Sequence, residues 1–190
     1  MREQVKAVVN AVFVLLLFPA ALISGFGRWG LAFDFFAHAC ALVPGILGEY
    51  VRRGYYVMTL RRCSPRSCIS FGSYFSHSDA EVADGVYVGA YCVIGRARLG
   101  ARTQIGCNVH VLSGRRQHPR DDDGRLLGSE HGVFETVRIG EDCWIGTSAI
   151  VMADVGARVT ISAGAVVTRE IPGGVVAVGN PARPLEPSDT

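Results

Sequence analysis

The alternation of apolar and polar positions changes character partway along the chain. An uncharged apolar run covers residues 7–27, and a second, less uniform run covers residues 29–48. From Ile69 onward, an aliphatic residue recurs about every six positions, often with a small residue after it, as far as Val167. A period of six matches neither the period of two of a strand nor the 3.6 of a helix. The sequence therefore predicts a helical N-terminal region followed by a different architecture.

The six-residue repeat predicts a β-solenoid, in which each short strand stacks on its equivalent one coil away. Three six-residue faces form a triangular coil of about 18 residues, with the aliphatic residue inside and a small residue at each corner. The repeat departs from six twice, with one step of five residues and one of four. Its two blocks, 82–111 and 139–167, predict roughly five coils.

The N-terminal region predicts helices that associate with a membrane. Residues 7–27 carry no charge over 21 positions, which is long enough to cross a hydrocarbon core of about 30 Å. Pro19 would kink such a helix, and Asp34, His38 and Pro44 make the second run a poorer spanning segment. We expect a membrane hairpin or two interfacial, partly re-entrant helices, in preference to a buried soluble helix pair or a cleaved signal peptide.

Charged and aromatic residues at the ends of these runs predict their orientation. The arginine- and tyrosine-rich stretch 50–62 is typical of a membrane–water interface. Arg2 and Lys6 precede the first run, whereas the junction between the runs carries only Arg28. By the positive-inside rule, both ends of the helical region face the cytoplasm.

A polar insert at residues 113–138 separates the two repeat blocks. It is rich in arginine and carboxylates, and it contains His118 and His131. The run Asp121–Asp123 followed by Gly124 predicts a solvated turn. The predicted organisation is a membrane-associated helical region at 1–62, a β-helix at 63–184 that carries this insert, and a tail at 185–190.

Composition narrows the possible partners. A net charge of +2 provides no strong basic field, so we expect no nucleic acid. The six cysteines are expected to be reduced, buried thiols, because a chain of 190 residues can build a core without disulfides. Their spacing does not supply a second close pair for zinc.

Residues 69–184 resemble the bacterial hexapeptide-repeat acyltransferases, which include galactoside and serine acetyltransferases. The resemblance is strongest in IGEDCWIGTSAIVMADVGARVTISAGAVVTREIPGGVVAVGNPARPL. It implies a left-handed parallel β-helix, a homotrimer with active sites between subunits, and acetyl-coenzyme A as the acyl donor. The N-terminal region resembles the subset that acetylates cell-surface sugars. The implied function is O-acetyl transfer to a cell-envelope glycan or lipid-linked sugar at the cytoplasmic face of the bacterial inner membrane.

The resemblance also implies a catalytic residue. The family carries a histidine, often as His-Pro, in a loop between two coils, and His118 in QHP matches it. A neutral imidazole can take the proton of a sugar hydroxyl as its oxygen attacks the thioester. Glu130 and Glu135 are candidates to orient that ring. His131 is a candidate for acceptor binding or for the base itself, and His110 for the same cleft.

Coenzyme A is expected along the later coils, between two subunits. Trp144 could pack against the insert or the pantetheine arm, or form a trimer contact. The other candidates for binding the donor are small residues that allow close approach and arginines for the phosphates, namely Ser148, Ala163, Gly164, Arg169 and Arg183.

Two other classes of function are open from the sequence. One is a zinc enzyme like the gamma-class carbonic anhydrases, with His77, His110 and His118 as imagined ligands. The insert, the sequence VVTREIPGGVVAVGNPAR and the apolar N-terminus argue against it, and we expect no metal. The other is a non-catalytic solenoid that assembles a membrane complex.

Overall fold

The structure is a computed structural model that describes residues 2–115 and 117–185. Three helices form the N-terminal region: α1 (Arg2–Ile23), α2 (Gly30–Ala41) and α3 (Gly45–Thr59). Short 3-10 turns lie at Gly25–Gly27 and Ser129–His131. Most of the predicted tail, residues 186–190, lies outside the described residues.

Sixteen short strands follow within the described residues. In chain order they are β1 (Arg62–Cys63), β2 (Cys68–Ile69), β3 (Tyr74–Phe75), β4 (Glu81–Val82), β5 (Tyr87–Val88), β6 (Val93–Ile94), β7 (Ala97–Leu99), β8 (Gln104–Ile105), β9 (His110–Val111), β10 (Val137–Ile139), β11 (Trp144–Ile145), β12 (Ile150–Val151), β13 (Thr160–Ile161), β14 (Val166–Val167), β15 (Val176–Val178) and β16 (Arg183–Pro184).

The strands form three sheets that run the length of a β-solenoid. The first sheet has the order β1-β4-β7-β10, the second β16-β15-β13-β11-β8-β5-β2, and the third β14-β12-β9-β6-β3. Every named strand pairs in parallel except β16, which turns back against β15. This confirms the predicted parallel β-helix and is consistent with the left-handed form. About six coils are present rather than five, because the first coil places Cys63 and Phe75, which are not aliphatic, at interior positions.

The interior of the solenoid follows the predicted repeat. Every aliphatic position of the two repeat blocks is at most 3% exposed. The coils stack closely at the corners: a Cβ added to Gly140 would lie 2.5 Å from the backbone nitrogen of Ala157. Glycine follows Ile139 because a larger residue at position 140 would collide with the backbone of the next coil.

The second apolar run divides into two helices. Pro44 takes the N-cap position of α3 with extended backbone angles. A proline has no backbone N–H, and it disfavours helical geometry in the residue before it, so α2 ends before this point. The sequence predicted two N-terminal helices, whereas the structure has three.

The helices and the solenoid share one hydrophobic core. Phe33 of α2 and Tyr55 and Tyr56 of α3 are at most 2% exposed. The Tyr56 ring packs edge-to-face on Phe75 of the first coil, with the ring centroids 4.9 Å apart. The helical region is thus packed onto the base of the solenoid.

Arg52 does not lie at a membrane–water interface as predicted from the stretch 50–62. It is fully buried. Its Nε donates to the Ile69 carbonyl at 2.7 Å, and one Nη donates to the Val43 carbonyl at 2.8 Å and the Cys40 carbonyl at 3.2 Å. The guanidinium fills a structural role because it donates at once to carbonyls at the end of α2, in the loop that follows it and in the first coil.

The cysteines are all free thiols. Three of the buried thiols lie in the later coils or the helices, but Cys107 is exposed and Cys68 is only half-buried. The prediction that all six are buried is therefore wrong for these two, because Cys68 is the outward-facing residue of β2 and Cys107 lies in the corner turn after β8.

Candidate active site

The insert is pinned at its base. It leaves the corner between the third and first sheets at Ser113, which is 2% exposed. The Glu135 N–H donates to the Ser113 carbonyl at 2.9 Å, and the Ser113 hydroxyl accepts from the Arg96 N–H at 2.9 Å. The loop therefore starts and ends at one point of the solenoid wall.

The insert also rests on an earlier coil. The Phe134 ring lies 5.4 Å from the His77 ring and 5.7 Å from the Arg96 guanidinium. Arg96 is itself paired with Asp79 at 3.5 Å. Burial and the charge of Arg96 lower the pKa of His77, which favours a neutral ring against Phe134. This contact was not predicted, although Phe134 is the one Phe, Trp or Tyr in the sequence of the insert.

The tip of the insert is a small hairpin. Arg120 and Leu126 form an antiparallel bridge, and the Asp121 carboxylate accepts the Arg125 N–H at 2.8 Å. Gly124 has a φ of 80°. The predicted turn is confirmed, because glycine adopts this angle without a steric cost and an aspartate side chain can cap the turn.

His118 is exposed and lies immediately before this hairpin. The Pro119 carbonyl accepts the Leu127 N–H at 2.8 Å, and the Gln117 side-chain amide donates to the Gly114 carbonyl at 3.2 Å. Its two neighbours are thus anchored, one to the hairpin and one to the base of the insert. The side chain is carried on a restrained backbone.

His131, the other histidine of the insert, lies close to a carboxylate. His131 Nε2 lies 3.7 Å from Glu130 Oε1 in the 3-10 turn, and both side chains are exposed. Glu135 is at the base of the insert instead, where its carboxylate lies beside Gly114. The role of either glutamate in orienting His118 stays a prediction.

The remaining predicted acceptor residue, His110, lies on the solenoid wall. It is half-buried on β9, in register with Val93 of the coil before and Ile150 of the coil after. The insert begins only three residues later at Ser113. His110 therefore faces outward near the edge of the third sheet from which the insert leaves.

The residues predicted to bind coenzyme A lie on a different part of the solenoid wall. Ser148 and Gly164 have φ angles of 60° and 70° and stack at the corner between the second and third sheets. The Asn108 amide donates to the Ser148 hydroxyl at 3.2 Å. Ala163 is exposed at the same corner, and Trp144, 60% exposed, lies on the second sheet. Ser148, Ala163 and Gly164 form an exposed ridge at this corner, the corner ridge.

The two predicted arginines are also separated. Arg169 is exposed at the corner that carries the insert, two coils further along. Arg183 is exposed on β16, where its Nη1 donates to the Ala182 carbonyl at 2.8 Å. A groove of about 290 Å³ at the base of the insert has a lining that includes Glu135, Asp154 and Glu170, the residue that follows Arg169.

Within one chain, the insert and the corner ridge lie at opposite edges of the third sheet. His118, Glu130 and His131 therefore lie on the insert, whereas Trp144 and the small corner residues lie on the solenoid wall, and the two sets are not in contact within one chain. Among residues 2–115 and 117–185, no group of three or more His, Cys, Asp or Glu side chains could hold a metal ion.

Comparison with known proteins agrees with this architecture. A family model described as the hexapeptide repeat of succinyl-transferase matches residues 136–169. A Schizosaccharomyces pombe protein whose name includes the term acetyltransferase is 38% identical over 89 residues, which is 46% of this chain and 41% of that protein. Nodulation protein L of Rhizobium meliloti is 37% identical over 102 residues, 51% of this chain and 54% of that protein. The chain thus spans about half the length of these relatives.

Solved structures show the same fold at lower identity. A maltose O-acetyltransferase from Clostridium difficile 630 has a TM-score of 0.67 at 20% identity, covering 87% of this chain and 89% of that one. A galactoside acetyltransferase in complex with coenzyme A has a TM-score of 0.58 at 20% identity, covering 85% and 82%. With its six-residue coils and these similarities, the chain shares the fold of these acetyltransferases and carries a hexapeptide repeat at residues 136–169.

Proposed function

We propose that this protein transfers an acetyl group from acetyl-coenzyme A to a hydroxyl of a sugar. The observation that carries the proposal is the parallel solenoid interrupted at one corner by a pinned loop that bears His118. Two similar structures support it, since one is named a maltose O-acetyltransferase and another, a galactoside acetyltransferase, contains coenzyme A.

His118 is the general base of this proposal. Its neutral imidazole takes the hydroxyl proton as the sugar oxygen attacks the thioester carbonyl, and an oxyanion forms. Collapse of that intermediate breaks the carbon–sulfur bond, and the imidazolium returns the proton to the departing thiolate. Removing such a base costs about 10²- to 10⁴-fold in rate. The anchored backbone on either side of His118 would hold the ring within reach of the acceptor.

His131 is the second candidate base, and one observation favours it. Its ring lies beside the Glu130 carboxylate, and a carboxylate at a histidine nitrogen stabilises the imidazolium that forms during proton transfer. The two candidates differ in anchoring, because His118 sits next to the hairpin hydrogen bond whereas His131 sits in a short exposed turn.

We propose a homotrimer whose active sites lie between subunits. The supporting observation is that the histidine-bearing insert and the corner ridge of Ser148 and Gly164 occupy opposite edges of one sheet. A neighbouring copy could bring its insert to the ridge of this one, with exposed Trp144 against the insert or the pantetheine arm. A heterologous, ring-closing contact between copies would complete every site equally.

In this arrangement coenzyme A follows the corner ridge of the later coils. Ser148, Ala163 and Gly164 carry little or no side chain there, so the pantetheine arm can approach the backbone. Arg183, close to the last coil, would meet the nucleotide phosphates, whereas Arg169, at the insert corner, would reach them from the neighbouring copy. Guanidinium groups provide charge-assisted hydrogen bonds to phosphates.

We further propose that the helical region attaches the enzyme to a membrane. Fifteen of the twenty-one exposed large apolar side chains of the described residues lie between residues 5 and 47. Residues Gln4–Ile23 form a helix that is long and apolar enough to cross a bilayer, judged by length and composition alone, with a mean hydropathy of 2.2 and 6% of it buried.

The contacts of α1 favour a position in the membrane surface over a span. The Asn10 amide donates to the Pro65 carbonyl of the first coil at 3.1 Å, and Phe13 stacks on Tyr50 at 5.5 Å. Only about ten residues of α1 follow these contacts, which at 1.5 Å per residue is about half of a 30 Å hydrocarbon core. Its outward apolar side chains suit an interfacial helix.

A surface position at the cytoplasmic face of the bacterial inner membrane would suit a lipid-linked or envelope glycan as acceptor. Acetyl-coenzyme A is a cytosolic donor, and confinement of enzyme and acceptor to one surface raises their effective concentration. We expect the substitution Leu15→Glu, on the outer face of α1, to release the protein from vesicles and to slow acetylation of a lipid-linked sugar only.

The decisive experiment measures thiol release from acetyl-coenzyme A with soluble and lipid-linked sugars, alongside calorimetry of coenzyme A binding. His118→Ala should lower turnover at least about 10²-fold with coenzyme A affinity unchanged. His131→Ala serves as the matched variant. Loss confined to His131→Ala would identify His131 as the base, and absence of coenzyme A binding by the wild type would contradict acetyl transfer and favour a scaffold.

A further inference from the structure

A groove of about 780 Å³ lies at the base of the solenoid, far along the chain from the insert. It is bounded by α1, α3 and the loop between β1 and β2. Its apolar lining includes Ala11, Val14 and Ile46, and its polar lining includes Lys6 and Arg53. None of these residues takes part in the proposed transfer of the acetyl group.

Lys6 and Arg53 lie toward one end of the groove, and Val14 and Ile46 lie toward the other, where Glu49 follows Ile46 by one turn of α3. Asn10 contacts Arg53 and Phe13 contacts Tyr50, so α1 and α3 run antiparallel. Lys6 is therefore on the Arg53 side, and Val14 is toward the start of α3. The distance along α1 from residue 6 to residue 14 is about 12 Å at 1.5 Å per residue.

Arg53 is held rigidly at the polar end. Its Nε donates to the Asn10 side chain at 2.9 Å, one Nη donates to the Ser67 carbonyl at 2.9 Å, and its guanidinium lies 4.5 Å above the Tyr50 ring. A planar guanidinium fixed in this way is a suitable partner for a phosphate, because little side-chain entropy remains to be lost on binding.

The charges around the groove favour an anion. Lys6, Arg53 and Arg66 line it against a single lining carboxylate, Glu49. Arg66 is paired with Asp84 of the second coil, so Arg53, whose hydrogen-bond partners Asn10 and Ser67 are uncharged, would provide the larger part of the attraction. Ile46 at the apolar end is 67% exposed, and its neighbour Leu47 is 62% exposed, so exposed apolar side chains border this end of the groove.

We propose that this groove binds one anionic glycerophospholipid, with its phosphate near Lys6 and Arg53 and one acyl chain along Ala11, Val14 and Ile46. A single cavity with a cationic end, an apolar end and an opening onto an apolar face matches a molecule of that kind. The inference does not depend on acetyl transfer, and it shares with the proposed function only the location at a membrane.

The test uses the full-length protein in detergent and native mass spectrometry with phosphatidylglycerol, phosphatidylcholine or inorganic phosphate as the probe. Phosphatidylglycerol should bind at least ten-fold more tightly than phosphatidylcholine. Ala11→Trp, which fills the groove, should weaken phosphatidylglycerol binding at least ten-fold. Leu15→Trp, on the outer face of the same helix, should leave it unchanged, and Lys6→Gln should reduce the preference for the anionic lipid.

Three outcomes would overturn the inference. One is equal binding of the two lipids, and another is wild-type phosphatidylglycerol binding by Ala11→Trp with unchanged circular dichroism. The third is inorganic phosphate binding as tightly as phosphatidylglycerol, which would indicate an anion site without a lipid chain. Loss of acetyl transfer in His118→Ala with intact lipid binding would separate this inference from the proposed function.

Discussion

Replacement of Arg52 by methionine should detach the helical region from the solenoid before the coils unfold. Arg52 is fully buried, and it joins the end of α2 to Ile69 of the first coil. Methionine keeps most of the apolar volume but removes every donor. The carbonyls of Val43 and Ile69 would then lose the charged donor that they share.

The magnitude follows from the two shortest bonds, at 2.7 Å and 2.8 Å. Hydrogen bonds to charged groups contribute about 1.5–3 kcal/mol each. The lower value applies, because burial disfavours the charged guanidinium, as its lowered pKa shows, and methionine avoids that cost. The expected loss is about 3 kcal/mol of unfolding free energy for the helical region.

Urea unfolding and amide hydrogen exchange at one protein concentration measure this loss. Amides of α2 and α3 should exchange about 100-fold faster, which is the equivalent of about 3 kcal/mol, while those of the later coils change little. Arg52→Lys keeps the charge but lacks the planar guanidinium that reaches Ile69 and Val43 together. Its loss of unfolding free energy should therefore lie between zero and that of the methionine variant. A methionine variant within about 0.5 kcal/mol of wild type would refute the reasoning.

Three further predictions concern the solenoid. Ile145→Ala should destabilise the protein by about 2–5 kcal/mol in urea unfolding, because Ile145 is fully buried, whereas the adjacent exposed Trp144→Ala should change stability little but weaken coenzyme A binding or trimer formation. Cys107 should react with maleimide before the other cysteines, and coenzyme A should slow that reaction, because Cys107 is exposed at the corner ridge; unchanged labelling would contradict the donor path. The pKa of His77 is lowered in the folded protein, so protonation favours the unfolded chain. Docking of the insert, measured by its amide hydrogen exchange, should therefore weaken as the pH falls below about 6.5. The variant His77→Phe should abolish this pH dependence.

The outline of the insert could be predicted, but its contacts could not. The break in the six-residue repeat marks where the loop leaves the solenoid, and the Asp121–Gly124 turn follows from local chemistry. The pairing of Glu130 with His131 and the packing of Phe134 on His77 depend on how the loop folds back. A polar sequence without periodicity carries no signal for such contacts.

The sequence by itself determined the solenoid, because a short repeat imposes the same local geometry on every coil and buries its aliphatic side chains in one column. It also determined that the first helix is apolar. Only the tertiary structure decided the position of Arg52. The stretch 50–62 predicts an arginine at the membrane interface, but the side chain is buried. The carbonyls that surround it come from α2, the α2–α3 loop and the first coil, so no local pattern records that they meet. The same reason applies to the groove at Arg53, whose walls are distant in sequence and come together only when α1 packs against the base of the coils.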